Sequence, residues 1–226
     1  MKKLFSTLAV VALSALSLNA QIKEGSITYN MIMEGVPAEQ AAMMGDMELK
    51  ITFKDNKSLL EVSTMMMSQQ AAVDEKGMTL VIEAMGNKMA VKQTKEEMEK
   101  EEAKQKEKQP EPKIEYVNET KTIAGYECKK AIVTMVVGKD KKEEKFDVWY
   151  TDKFNYLDKD GKTKGEIKGL KGIPFEYVSF RNGFKSKLVA KEVSLEPVSD
   201  EKFKLSTEGC QMMTMEELKT MGRGGK

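Results

Sequence analysis

Histidine is missing from all 226 residues of the chain. That excludes hydrolases built on an imidazole base, and it excludes imidazole-ligated zinc and copper centres. Cysteine is scarce: Cys128 and Cys210 stand alone, with no CxxC spacing, so neither redox nor nucleophilic thiol chemistry is expected. Excess charge of either sign is lacking as well. The formal net charge is +1, and removing Lys2 and Lys3 from the 37 basic residues leaves 35 against 36 acidic ones. Neither nucleic acid nor an anionic membrane surface is therefore an expected partner. Beyond the first 20 residues no apolar run approaches the ~20 residues of a spanning helix, so no transmembrane segment is expected in the mature chain. Carboxylates are everywhere, but no pair is marked as an acid–base couple. The reading is of a protein that is not an enzyme and uses no cofactor or resident metal.

The N-terminus has what a leader needs. Lys2 and Lys3 precede a Leu/Ala/Val-rich stretch from Leu4 to Leu16, and Ala20 offers a small residue for cleavage before Gln21. Residues 1–20 read as a signal peptide, so export to the periplasm or beyond is expected. With no cysteine just after the apolar run, a lipid anchor is not. Residues 21–226 are enough for one domain.

Period-two patterning dominates that domain. Ile27, Tyr29, Met31 and Met33 alternate along 25–34, and Leu49, Ile51 and Phe53 along 48–53. Further strands are expected over 58–67, 78–84, 88–93, 173–180 and 184–196. Gly86-Asn87 and Asn182-Gly183 carry turn chemistry. The stretch 121–152 reads as a hairpin of 131–137 with 146–151. It holds the only tryptophan, Trp149, and a central place in the sheet is expected for it. Residues 94–113 have almost nothing apolar and read as an exposed charged insertion, a solvated helix stopped by Pro110 and Pro112, or disorder. Residues 154–171 read as a long loop. Asp158-Lys159-Asp160-Gly161 does not make a calcium loop, because Tyr156 and Ile167 would occupy the first and twelfth ligand positions. Thr214 and Glu217 form a capping box that starts a short helix.

Two features bear on chemistry. An exported chain permits a Cys128–Cys210 disulfide, which would close a long loop and contribute about 4–5 kcal/mol on a chain-entropy basis. The alternative is a small buried apolar Cys128 and an unrelated thiol at Cys210. The 18 methionines cluster at Met43-Met44-Met47, Met65-Met66-Met67 and Met212-Met213-Met215. Thioethers suit Cu(I), but they also make adaptable apolar lining, and the second reading is preferred.

Several stretches resemble an exported bacterial family, a domain of unknown function close to the GLPGLI family. They are Thr120 to Ala131 (TKTIAGYECKKA), Val148-Trp149-Tyr150-Thr151, Leu170 to Tyr177 (LKGIPFEY) and Met213 to Leu218 (MTMEEL). The chain departs from that family's name motif, with Gly169-Leu170-Lys171-Gly172-Ile173 in its place. The resemblance implies a LolA-like fold: mainly β, a curved antiparallel half-barrel with short covering helices, whose concave face in relatives receives acyl chains. Segments 41–44 and 214–221 are the expected covers. The functional expectation is an exported binding protein holding a lipid or acyl chain. Met31, Met33, Ile51, Phe53, Met66, Ile82 and Trp149 are the expected lining. Envelope copper handling through methionine, and a structural protein with a filled core, are the alternatives.

Overall fold

The computed structural model describes residues 22–37, 45, 47–64, 67–106, 110–138, 141–154, 167–181 and 184–221. The expected leader, Ala41 to Met44, Met65, Met66, residues 158–161 and Asn182-Gly183 lie outside them. The chain is mainly β: one open, curved, twelve-stranded half-barrel sheet. Its strands are β1 (Glu24–Glu34), β2 (Met47–Lys54), β3 (Lys57–Ser63), β4 (Met67–Val73), β5 (Gly77–Ala84), β6 (Asn87–Thr94), β7 (Lys113–Ile123), β8 (Tyr126–Val137), β9 (Lys142–Thr151), β10 (Ile173–Arg181), β11 (Phe184–Ser194) and β12 (Gln211–Met213). Helix α1 (Lys95–Lys106) links β6 to β7, and α2 (Met215–Met221) follows β12.

The spatial order is β12-β6-β5-β4-β3-β2-β1-β11-β10-β9-β8-β7. Two antiparallel meanders therefore meet where β1 pairs with β11. The only parallel contact among these strands is β12 on β6. The β8–β9 hairpin forms with Ala131 opposite Val148, but its place is not central, because only β7 lies between it and one edge. Chain order misled the expectation: the long return of β11 onto β1 puts β1 mid-sheet.

Strand 58–67 divides at Thr64, whose backbone N–H donates to the Met67 carbonyl, and β4 then runs back along β3. The Gln/Ala-rich sequence of β4, MSQQAAV, carries little strand propensity. The β5–β6 turn is Met85-Gly86, one residue earlier than expected, with φ of 51° and 80°. Ala124-Gly125 repeats that geometry between β7 and β8 (48° and 82°). Two successive positive φ angles are the hairpin turn that follows a sheet's right-handed twist.

The concave side of the β11–β7 half is filled. Phe154 is 1% exposed, and its ring meets Phe53, Tyr126 and Phe175 at centroid distances of 6.0, 5.2 and 5.7 Å. Ile167 and Leu170 are buried with them. The 154–171 stretch is thus no simple loop, since both described ends of it are core. Pro174 sits at a register break between β9 and β10, where a strand tolerates proline. Its carbonyl accepts from the buried Tyr29 hydroxyl at 2.9 Å.

Candidate functional site

Directly paired residues share a face, so register assigns both sides of the sheet. One cross-strand row on the concave side reads Ile27, Ile51, Leu60, Ala71, Leu80, Val91, Met213. The next row reads Tyr29, Leu49, Val62, Gln69, Ile82, Met89. Gln69 is the one polar residue in the two rows. From β3 outward the side chains are mostly half-buried, with Leu80 and Val91 buried beneath them. The concave face is therefore asymmetric: packed solid toward β7–β11, an apolar trough along β3–β6.

The expected lining residues divide accordingly. Phe53 is 1% exposed and belongs to the solid core, with Met31 and Ile51 packed against it. Met33 lies toward the end of β1, where its sulfur accepts from Ser186 Oγ at 3.1 Å. Ile82 is in the trough. Met66 lies outside the described residues. Trp149 is a correction: it pairs with Glu176, which pairs with Val189 opposite Asn30, and that row is on the outer face. A period-two strand names two faces without saying which is concave. The trough residues that sequence reasoning missed include Leu60, Val62, Ala71, Leu80, Met89 and Val91, legible only once β4 is placed.

Around Trp149 the outer face is charged. Lys121 Nζ sits 4.4 Å and Lys130 Nζ 5.7 Å from the indole centroid, within cation–π range. Glu176 takes ion pairs from Lys121 and from Lys187, the latter at 2.9 Å. Burial disfavours the Glu176 carboxylate, but the two lysines outweigh this and hold its pKa below the ordinary 4.5. A depressed carboxyl contributes stability above its unfolded pKa, and that contribution is lost as pH falls through the folded value. Glu176→Gln should therefore flatten the acid limb of the stability curve below pH 4.5, read as the urea midpoint against pH. Parallel curves for the two proteins would remove the argument.

The disulfide is a second correction: both cysteines are free. Cys128 is fully buried on β8, near one edge of the sheet, whereas Cys210 leads into β12 at the other. Burial raises the Cys128 thiol to about 11. At pH 8 a thiol reagent should label one cysteine in the folded protein and two in denaturant. Two labelled when folded, or none in denaturant, would contradict the structure.

Of the methionine clusters, strand alternation splits the Met212-Met213 pair. Met213 shares the concave row, whereas Met212 is 52% exposed on the opposite face. Among the described residues no group of three His, Cys, Asp or Glu is placed to hold a metal ion.

A polar helix follows β6. Thr94 and Glu97 form a capping box at α1: the Thr94 N–H and hydroxyl donate to Glu97 Oε2 at 2.8 and 3.0 Å, and the Glu97 N–H returns to Thr94 Oγ1 at 3.3 Å. This signal was readable in the sequence as TKEE, but the surrounding charge hid it. Helix α1 contacts β5 and β6 and extends about 18 Å at 1.5 Å per residue. Glu102 pairs with Lys168 at 2.8 Å, and Glu101 with Lys219 of α2. The expected cover α2 buries no side chain of its own.

No helix among the described residues is long and apolar enough to cross a membrane. No protein-family model and no curated protein matches the chain. Among solved structures, one of PNGF-II in the P21 space group is similar at 17% identity and a TM-score of 0.46. The similarity covers 89% of this chain, which spans 34% of that one. A likeness of that size leaves function to be argued from the residues themselves.

Proposed function

We propose that the protein is an exported, non-enzymatic binding protein that accepts an apolar ligand, a lipid or acyl chain, in the β3–β6 trough. The observation that supports this reading is the pair of adjacent cross-strand rows described above, apolar at every position but Gln69 and half-buried over most of the trough. Apolar surface left partly open in a concavity gains free energy when an apolar body covers it, at about 25 cal/mol per Å². Gln69, alone among hydrocarbon, would meet the ligand's polar atom.

Val81 and Ile82 are neighbours on β5, both half-buried, facing opposite sides of the sheet. The full chain should bind cis-parinaric acid saturably. Ile82→Lys should weaken that binding at least tenfold, about 1.4 kcal/mol, while Val81→Lys leaves it within twofold. Absence of saturable binding in the parent protein, or equal loss in both variants, would refute the reading.

A further inference from the structure

A second concavity lies on the opposite side of the sheet from the trough. It has a volume of about 280 Å³ and opens where β4 ends, β5 begins and β6 ends. Its floor follows from register: Leu59 pairs with Ala72, Ala72 with Thr79, and Thr79 with Lys92. The segment after β11 crosses this face, and its short 3-10 helix (Asp200–Phe203) lays Phe203 over Leu59 and Ala72. One wall is therefore the buried Phe203 ring. The other is formed by Lys92 and Lys76.

The charges in this cleft do not cancel. Elsewhere on the same face Lys54 and Lys57 both pair with Asp200, at 3.5 and 2.9 Å, and Lys88 pairs with Glu83 at 3.4 Å. Neither Lys76 nor Lys92 has a carboxylate partner among the described residues. Asp74 is the acid in the cleft. Its Oδ1 is turned onto the chain, accepting from the Lys76 N–H at 2.8 Å and the Gly77 N–H at 3.2 Å. Two cations face one carboxylate already engaged by backbone, beside an apolar floor and the Thr79 hydroxyl.

We infer that this cleft binds a small organic anion, a carboxylate or phosphomonoester with a short apolar body. Lys76 and Lys92 would take the anionic head, and Ala72 and Phe203 would take the body. At this volume the site is at the small end of ligand pockets, which excludes a folded macromolecular epitope. Because it lies on the outer face, it stands or falls independently of the trough.

The test uses the full chain, isotopically labelled, titrated with hexanoate, hexyl phosphate and inorganic phosphate while backbone amide shifts are followed. Saturable shifts of Gly77, Thr79 and Lys92 are expected with at least one of the two hexyl-chain anions, and whichever binds identifies the head group. The double variant Lys76→Gln/Lys92→Gln changes only exposed side chains and should bind at least tenfold more weakly, with an unchanged circular dichroism spectrum. Saturation by inorganic phosphate alone would overturn the organic ligand. Linear shifts into the tens of millimolar, or an unaltered response in the double variant, would overturn the site.

Discussion

Phe154→Ala is expected to cost about 4 kcal/mol of folding stability. Phe154 is 1% exposed, touches three aromatic rings and pairs through its backbone with Ile22 as an isolated parallel bridge. Its partners come from β2, β8 and β10, so no single neighbour can move to fill the space without disturbing another strand. Truncation forfeits the transfer free energy of the ring and leaves a cavity between rigid walls. Urea unfolding followed by the fluorescence of the single tryptophan would measure the loss. A change below about 1 kcal/mol would mean that this half of the concave face is not the packed core described here.

Gly172→Ala should cost about 3 kcal/mol, for a steric reason. A Cβ at Gly172 would stand 2.4 Å from the Thr151 carbonyl oxygen and 3.0 Å from Tyr150 Cδ2. The first of these is backbone and cannot rotate away. Relief requires β10 to shift from β9 just where Ile173 pairs with Thr151. That shift would pull the Pro174 carbonyl from the Tyr29 hydroxyl and Phe175 from its place beside Phe154. Gly125→Ala is the matched control. Nothing lies within 4 Å of its Cβ position, and the substitution should cost only the strain of φ +82°, about 1 kcal/mol. Melting temperatures of both variants would decide it, and equal losses would defeat the steric account.

The two substitutions also mark where sequence reading stopped. Phe154 stands at the head of a stretch rich in Lys, Asp and Gly, and local composition assigns such a stretch to solvent. Its burial is created by β2, β8 and β10 converging from distant parts of the chain. Gly172 reads equally well as turn punctuation. Its need for a missing side chain appears only when Thr151 is brought against it. Trp149 shows the converse: its strand was recognised from alternation, but its face was not, because alternation is symmetric until a sheet curls. The Cys128–Cys210 pairing failed for a related reason, since an oxidising compartment permits a bridge but only sheet order sets how far apart the two strands lie.

Period-two alternation of apolar residues was enough to establish a mainly β chain and the β8–β9 hairpin, and the Thr214 capping box was legible because capping spans four residues. These features are local, set by backbone sterics and by hydrogen bonds between near neighbours. Which side of the sheet became solid core, which stayed an apolar trough and which gathered the unmatched lysines depended on β11 returning to β1, on the entry of Phe154 and Leu170, and on Phe203 folding across the outer face. Those are contacts between residues up to more than a hundred positions apart, and no pattern along the chain encodes their closure.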